Sequence, residues 1–512
     1  MGVEFQLKQQ AKMFSQNVYL PAVYDLHRCC RVEQNLIVFA DAHHDGRPEA
    51  MELLYRRLKQ SRVQPAYHIA EMYLDFGRAS KAEVMEYSTR FMKLYVRASV
   101  VVVCDNFLPV ASCRKKRETM VVQLWHACGC YKKFGYDAKD DIPEGYHGDV
   151  YRNLSLVTVS AEAAVEPFSS AMHRTHGEVQ ALGVSRTDLY FSRKWRYRCM
   201  EAFRELYPDV YEETGAGDGR EEGAGDGSDA GAGSGRQAGA GSVRETGTGS
   251  AKGSGSLRKR RKVVLWAPTF RGNAGQPGLL DLDTEKLQRQ LGKEYLVLTR
   301  VHPHMKEARK AVKNHCPIPT EQLYPVVDVL IADYSSLIYE YLLAAQIQNQ
   351  QDPHGSLGLH GSVGLHGGLV LYTPDLDTYM AQRGTYMDIH EIPGEIVKDA
   401  DRLADAVRRA AGDEGLRIRS CKESCHADVA MQATGEGTPE FSTGERKAET
   451  GTRGSDTEGQ VSGWTTDLEE KREAFLKRYL SACDGQATAR IAEKIRAHCF
   501  GEDGETSGPV DA

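Results

Sequence analysis

The sequence predicts an α/β protein built from two doubly wound parallel sheets, and three observations carry that prediction. Short β-branched apolar runs alternate with amphipathic stretches along the chain. Several of those runs are continuously apolar rather than alternating, which suits strands buried on both faces of a parallel sheet. The alternation occurs on both sides of a glycine-rich tract at residues 214–256, and 512 residues exceed what one ordinary core serves.

Taken in order, the strand candidates are Leu36–Phe39, Val100–Val103, Val121–Leu124, Leu156–Val159, Val263–Trp266, Tyr295–Thr299, Val329–Ala332 and Leu369–Tyr372. Each is a compact run rich in Val, Ile and Leu bounded by polar or small residues. Pro48–Leu58 and Lys81–Val96 fall between strands and carry the helical spacing of apolar positions. The last apolar-periodic stretch, Asp467–Cys499, reads as one or two helices with a break at Asp484-Gly485.

Three segments are expected not to fold. Residues 214–256 hold 15 glycines in 43 positions with hardly an apolar side chain, so burial cannot offset the entropy of ordering them. As a free coil such a tract would span about 35 Å. Residues 349–368 contain a short imperfect repeat, and residues 426–465 are rich in Gly, Thr, Glu and Ser. The abundance of glycine, 49 in all, is thus concentrated in spacers rather than in the folded units.

Composition excludes some functions. A balance of 65 Lys+Arg against 71 Asp+Glu, net −6, lacks the basic excess of a dedicated nucleic-acid binder. No run approaches the roughly 18 apolar residues of a membrane span, and MGVEFQLKQQAKMF shows no signal-peptide core, so a cytosolic location is expected. Twelve irregularly spaced cysteines read as reduced thiols. Basic clusters at 113–117 and 257–262 could touch anionic lipid or be solvated loop charge.

Four clusters carry chemistry. In VVQLWHACGCYKKFGYD, His126 follows the carboxyl end of a buried strand, where open α/β sheets present ligands, and histidine exchanges a proton near neutral pH. The small residues Ala127, Cys128 and Gly129 would let backbone approach a substrate, and Lys132 and Lys133 add positive charge. In LWAPTFRG, Thr269 and Arg271 are polar groups at a strand end. In LTRVHPH, Arg300 and His302 share a face of an extended segment and together suit a phosphate. In DVLIADYSSLIYEYLL, Ser335 and Ser336 open a helix whose free N–H groups favour an anion, with Glu340 one turn in.

The ordered set QLWHACGCYKKFGYD, GVSRTD (183–188), WAPTFRG, RVHP and DVLIADYSSLIYEYLL resembles the CDP-glycerol glycerophosphotransferases, which build teichoic-acid and related polyol-phosphate polymers. LYTPDLDTY (371–379), RGTYMD (383–388) and YLSACDGQATARI (479–491) are similar to the same family, and the resemblance runs from Asn17 to His498 without the three inserts. It implies a GT-B-like fold, two Rossmann-type domains facing a cleft, with low-complexity disordered inserts.

The organisation expected on that basis is an N-terminal segment 1–16, an acceptor-side domain 17–213 and the glycine-rich insert 214–256. A CDP-polyol-binding domain 257–425 follows, interrupted by 349–368, then the insert 426–465, helices 466–500 that complete the fold, and a tail 501–512. The resemblance further implies attack of an acceptor hydroxyl on the β-phosphorus of CDP-glycerol or a close CDP-polyol, with CMP leaving. It makes His126 the general base and His302 a second catalytic residue. Ala127, Cys128, Gly129, Cys130, Arg186, Pro268, Thr269, Arg300, Val301, Ser335, Ser336 and Glu340 would line the CDP-polyol site.

No metal ligand is assigned and no cofactor is required, although a divalent cation is compatible with the chemistry. The implied acceptor is a prenyl-linked saccharide or a polyol-phosphate polymer at the inner membrane face, reached peripherally. The sequence departs from the family at Trp-His-Ala-Cys-Gly, where Trp-His-Gly-Thr-Pro is usual, which points to an altered acceptor or donor preference. His354, His360 and His366 stand in the second insert, where a metal-binding reading competes with incidental histidines of a low-complexity segment. Two alternatives stay open: a family member that binds CDP-polyol or polymer without turnover, and a GT-B glycosyltransferase or epimerase using a UDP-sugar.

Overall fold

A computed structural model describes residues 10–139, 141–142, 146–211, 260–269, 271, 278, 280–301, 312, 314–351, 367–413 and 457–501, with side chains from 467 in the last stretch. His302, the tract 214–256, most of 349–368 including His354, His360 and His366, and residues 426–456 lie outside the described residues.

The first sheet comprises β1 (Glu33–Asp41), β2 (His68–Tyr73), β3 (Ala98–Val103), β4 (Met120–Gln123), β5 (Leu156–Thr158) and β6 (Val179–Gln180), in the order β2-β1-β3-β4-β5-β6. Every pairing is parallel, with Ile37 opposite Ile69 on one side and Val100 on the other. The second sheet comprises β7 (Lys262–Trp266), β8 (Tyr295–Thr299), β9 (Val329–Ala332), β10 (Gly368–Tyr372) and β11 (Glu395–Val397), in the order β11-β10-β9-β7-β8, again all parallel. All eight expected strands are present within a few residues of their predicted ends. β2, β6 and β11 are additional. They are edge strands, and their short or half-exposed segments, HIAEMY, VQ and EIV, carry no continuous apolar run.

The connections are helical. α1 (Leu20–Leu26), α2 (Glu49–Lys59), α3 (Lys81–Tyr95), α4 (Val165–Met172) and α5 (Arg193–Leu206) belong to the first half of the chain. α6 (Thr284–Leu291), α7 (Leu337–Gln351), α8 (Leu376–Gln382) and α9 (Leu403–Ala410) belong to the second. α3 starts at a capping box, Ser80 with Glu83, which satisfies two orphan N–H groups. The two final helices are α10 (Thr457–Leu480) and α11 (Ala487–Phe500), separated at Asp484-Gly485 as the sequence predicts. Two expected segment ends shift. α7 continues to Gln351, so 349–351 is helix rather than insert, and 457–465 begins α10.

The chain crosses back at its end. Ile491, Ile495 and Cys499 of α11 pack with Ile37, Val100, Val122 and Leu156 on one face of the first sheet. On the far face of the second sheet, Leu287, Leu291, Leu403 and Val407 cover Val264, Val297 and Ile331. The largest core is shared: Phe168, Tyr190 and Phe203 from the first half join Tyr324, Tyr339, Tyr341 and Leu342 from the second, and Phe475 and Tyr479 of α10. α7 is buried on nearly every side, which is why its sequence is apolar all round instead of amphipathic.

Candidate functional site

A doubly wound sheet binds ligands where successive connections leave in opposite directions, at the carboxyl ends of the strands there. In the first sheet that point lies between β1 and β3, and in the second between β7 and β9. Asp41, Asp105 and His126 follow or end β1, β3 and β4; Thr269 and the Asp333-Tyr-Ser-Ser run follow β7 and β9. Most of the chemistry-bearing residues singled out in the sequence therefore cluster around these two points.

His126 stands after Trp125, whose φ of 57° lies in the left-handed region. The turn is held by packing: the Trp125 ring stacks on His126 at 4.7 Å and packs against Phe134 and Phe168 at 5.1 and 5.7 Å. His126 Nδ1 lies 3.3 Å from Asp105 Oδ2, where a proton on Nδ1 would face the carboxylate. The imidazole is 48% exposed, so water reaches it, yet protein surrounds it on its other sides. That surrounding protein pushes its pKa below the ordinary value; Asp105 opposes the shift, and the charges of Arg186 and Lys132 reinforce it. The shift favours the neutral imidazole.

Beside this pair, buried Asp41 accepts the His43 N–H at 2.7 Å and faces His44 Nδ1 at 2.9 Å. Burial pushes the Asp41 carboxyl up, but the bonds from His44 and His43 outweigh it and hold its pKa below the usual range, while the same Asp41 bond raises His44. Asp41, His44 and Asp105 were not singled out from the sequence. Asp41 and Asp105 stand two residues past predicted strands and His44 five past the first, and a carboxylate just beyond a strand end is the signal that would have found the first two.

In the second half, buried Asp333 accepts the Thr269 N–H, the Thr269 hydroxyl at 2.6 Å and Arg271 Nη1 at 2.8 Å. Arg271 also donates to Asp375 at 2.6 Å, and its guanidinium lies over the Tyr334 ring at 5.0 Å. Tyr334 stacks on Tyr379 with centroids 3.7 Å apart. Thr269 thus shapes the site through Asp333, with its hydroxyl already donated. Ser335 and Ser336 sit half-buried before α7, and Ser335 Oγ accepts the Leu337 N–H at 3.4 Å. Pro268 and Val301 are buried; Arg300 donates to the Cys316 carbonyl at 3.0 Å. Tyr131 is buried near Tyr334, and its hydroxyl has no hydrogen-bond partner among the described residues.

The halves are stitched together at the site. Segment 131–137 pairs with 383–386: the Tyr386 N–H donates to the Tyr131 carbonyl at 2.8 Å, Lys133 N–H to Gly384 at 3.2 Å, and Tyr386 Oη to Asp137 at 2.6 Å. This places Lys132 among Arg383, Asp333, Asp141 and Arg271. Burial, with Arg383 and Arg271 adding to it against the two carboxylates, brings its pKa down to about 8. Lys132 also adds to the downward shift on His126.

Several predicted site residues have other duties. Arg186 and Glu340 form a buried ion pair between the halves, Nε to Oε2 at 3.0 Å, and Tyr190 Oη donates to the same oxygen at 2.5 Å. Glu340 is therefore already occupied, where the resemblance assigned it to the CDP-polyol site. The small residues after His126 were expected to admit a substrate. Instead a Cβ on Gly129 would lie 2.3 Å from the Tyr339 ring, so the missing side chain makes room for α7. Cys128 is buried near Cys483, so the Cys in place of the family's usual Thr faces the core; Cys130 is buried with its thiol pushed up to about 12. Ala127 is half-buried beside them.

Of the second basic cluster, Arg260 bonds Asp328 at 2.7 Å and Lys262 bonds Asp413 at 2.6 Å, so these charges serve the fold. A pocket of about 420 Å³ beside edge strand β8, lined by Arg261, Arg289 and Lys293 among others, contains none of the predicted site residues. Among the described residues no group of three or more His, Cys, Asp or Glu side chains could hold a metal ion.

Comparison with known proteins is consistent along the chain. A family model described as CDP-glycerol:poly(glycerophosphate) glycerophosphotransferase matches residues 22–207, 245–346 and 368–423. The teichoic acid ribitol-phosphate primase of Bacillus spizizenii is 26% identical over 413 residues, covering 77% of this chain and 87% of the primase. The teichoic acid poly(ribitol-phosphate) polymerase of the same organism is also 26% identical, over 75% of this chain but only 52% of the polymerase. The solved structure of the wall teichoic acid polymerase TagF superposes with a TM-score of 0.56 at 16% identity, covering 98% of this chain and 99% of that one. That likeness agrees with the two-sheet GT-B-like architecture of the described residues.

Proposed function

The chain belongs to the CDP-glycerol:poly(glycerophosphate) glycerophosphotransferase family, and on that premise we propose that it transfers a polyol phosphate from a CDP-polyol to a hydroxyl of a teichoic-acid-type acceptor, releasing CMP. The observation that carries the reading is His126, held neutral with Nδ1 on Asp105, beside Lys132 and across from the helix that Ser335 and Ser336 open.

The roles follow from the chemistry. The acceptor oxygen forms a bond to the β-phosphorus, the bond from that phosphorus to the bridging oxygen breaks, and CMP leaves with the electron pair. His126 Nε2 takes the acceptor proton, while Asp105 steadies the imidazolium that forms. Phosphoryl transfer depends chiefly on positioning and on neutralising charge. Lys132 and the N–H groups at the start of α7, with Ser335 and Ser336, supply that here; Arg300 and His302 are assigned to the same phosphates. Asp333, Arg271 and Thr269 form the rigid floor beneath them.

The acceptor we assign is a lipid-linked saccharide or a growing polymer, which requires peripheral contact with the inner membrane face. No helix among the described residues is long and apolar enough to cross a membrane. The test is CMP release from CDP-glycerol and CDP-ribitol with a prenyl-linked saccharide acceptor. Wild type should release CMP with at least one donor, and His126→Ala should lower the rate by about 10²–10⁴-fold. Equal, negligible release by both proteins with every CDP-polyol would overturn the reading, as would UDP stabilising the protein more than CMP or CDP in a thermal-shift panel.

A further inference from the structure

The first sheet carries two histidine–carboxylate pairs, and the chemistry assigned above uses only one of them. His126, beyond β4, faces Asp105; His44, beyond β1, faces Asp41. Strand order sets β1 beside β3, so Asp41 and the segment Cys104-Asp105 meet at the switch point, with Cys104 Sγ 3.6 Å from Asp41 Oδ1. Asp41 is 2% exposed, whereas the His44 side chain it holds is 56% exposed. An ionised carboxylate in the interior is costly unless paired, and this one is paired with a side chain that faces solvent. What the pair fixes is the orientation of the His44 ring, as a buried aspartate does for a catalytic histidine.

The loop that carries His44 is clamped from both neighbouring strands. On the β2 side the Leu74 and Phe76 N–H groups donate to the carbonyls of Asp41 and Ala42 at 3.3 and 2.9 Å, and the Asp75 N–H donates to Asp45 Oδ1 at 3.0 Å. Arg78 lies 3.1 Å from Asp75 and 3.6 Å from Asp45. On the β3 side the His43 ring lies 3.3 Å from the Asn106 carbonyl. His44 Nδ1 is 2.9 Å from Asp41 Oδ2, and an ionised carboxylate can only accept, so a proton on Nδ1 faces it. Nε2 has no hydrogen-bond partner among the described residues.

The charges facing His44 are Asp41 from β1, Asp75 from beyond β2 and Asp105 from beyond β3, with Arg78 turned to Asp75 and Asp45. The Asp41 bond raises the His44 pKa against the cost of burial, and the charges of all three carboxylates add to it. His126 is shifted the other way, and Asp105 acts on both rings. Two imidazoles with opposite shifts divide the work: the neutral one takes a proton, and the charged one donates a hydrogen bond. The carboxylates around His44 would repel phosphates, so the group it meets is an uncharged hydroxyl or ether oxygen. We propose that His44 is an acceptor-binding residue whose Nε2–H donates to an oxygen of a polyhydroxylated acceptor terminus, beside the hydroxyl that His126 deprotonates. The inference rests on the transferase reading above and adds to it a contact made by the acceptor and not by the donor.

The experiment uses the full chain with a short prenyl-linked saccharide as acceptor. In initial rates with CDP-glycerol or CDP-ribitol, His44→Ala should raise the acceptor KM at least about tenfold and leave the donor KM within about twofold of wild type. His44→Gln keeps an N–H donor and should recover part of the loss. The wild-type acceptor KM should rise with pH as His44 loses its proton, and His44→Gln should not show that rise. Calorimetric binding of the same saccharide in the presence of CMP reads the contact without turnover: His44→Ala should bind it at least about tenfold more weakly and bind CMP as wild type does. The proposal is overturned if His44→Ala keeps the wild-type acceptor KM or affinity, if donor and acceptor KM rise together, or if wild type does not bind the saccharide. It is also overturned if His44→Ala only lowers the melting temperature, which would make the Asp41–His44 pair a loop fastening. Wild type that binds the saccharide but releases no CMP counts against the transferase reading, and the binding comparison then decides this one.

Discussion

Arg186 and Glu340, 154 residues apart, meet in a buried two-pronged ion pair that joins the segment after β6 to the first turns of α7. Tyr190 closes the same carboxylate from a third side. Arg186 is held in its charged form well above its ordinary range: burial works against it, and Glu340 and Tyr190 more than compensate. The pair ties the first half of the chain to the second beside the shared core.

Removing one partner leaves a buried charge alone. Arg186→Met is expected to cost about 3–5 kcal/mol, and Arg186→Met/Glu340→Met to recover most of it. Chemical denaturation of the three proteins checks this. A loss of under about 1 kcal/mol for the single variant would show that the pair does not hold the halves together.

The His126 imidazole must be neutral to accept a proton, and burial already holds its pKa below the ordinary value. Activity should therefore fall with acid only below about pH 6.5. Asp105 opposes the downward shift, so Asp105→Asn should move the acid limb to still lower pH and reduce kcat. The same sign applies to stability: the unfolded chain takes up this proton more readily, so the His126 contribution falls as pH drops through the unfolded pKa. A kcat/KM profile of both proteins decides; an acid limb moving upward in the variant would exclude this geometry.

Lys132 has its pKa brought down to about 8 and should lose its charge as pH rises through that value. Donor KM is expected to climb above about pH 8, and Lys132→Met should raise KM about tenfold at neutral pH and abolish that dependence. Initial rates at varied donor concentration across pH 6 to 10 or so would check it. A variant that keeps the alkaline rise removes Lys132 from the phosphate site.

Gly129 has φ +69°, and a Cβ there would sit 2.3 Å from the Tyr339 ring. Gly129→Ala should destabilise by roughly 2–4 kcal/mol, from the left-handed backbone together with overpacking. Adding Tyr339→Leu should return part of the loss by clearing the ring. Thermal melts of the single and double variants measure this, and an Ala variant as stable as wild type would contradict the packing.

Much of this was legible beforehand because strand–helix alternation is written locally. The runs at Val121, Val263 and Val329 predicted strands, and the polar groups immediately after them fell at strand carboxyl ends. Short edge strands such as β11, three residues long, carry too little pattern to be read. The partners of site residues were equally hidden. Nothing in the spacing of Thr269 and Asp333 announces that they will meet, because β7 and β9 are neighbours in the sheet although β8 lies between them in the chain.

The sequence by itself determined the two parallel sheets, the helix break at Asp484-Gly485, and the placement of His126, Arg300, Ser335 and Ser336 just after strands, since each rests on periodicity or on residue chemistry over a few positions. Tertiary structure decided which of those residues stay accessible and which are spent on packing. Glu340, Cys128 and Gly129 read as site residues, yet Glu340 is neutralised by Arg186, Cys128 lies against Cys483, and Gly129 makes room for Tyr339. The physical reason is that a buried charge, a thiol in the core and a glycine under a ring are fixed by what packs against them from another part of the chain.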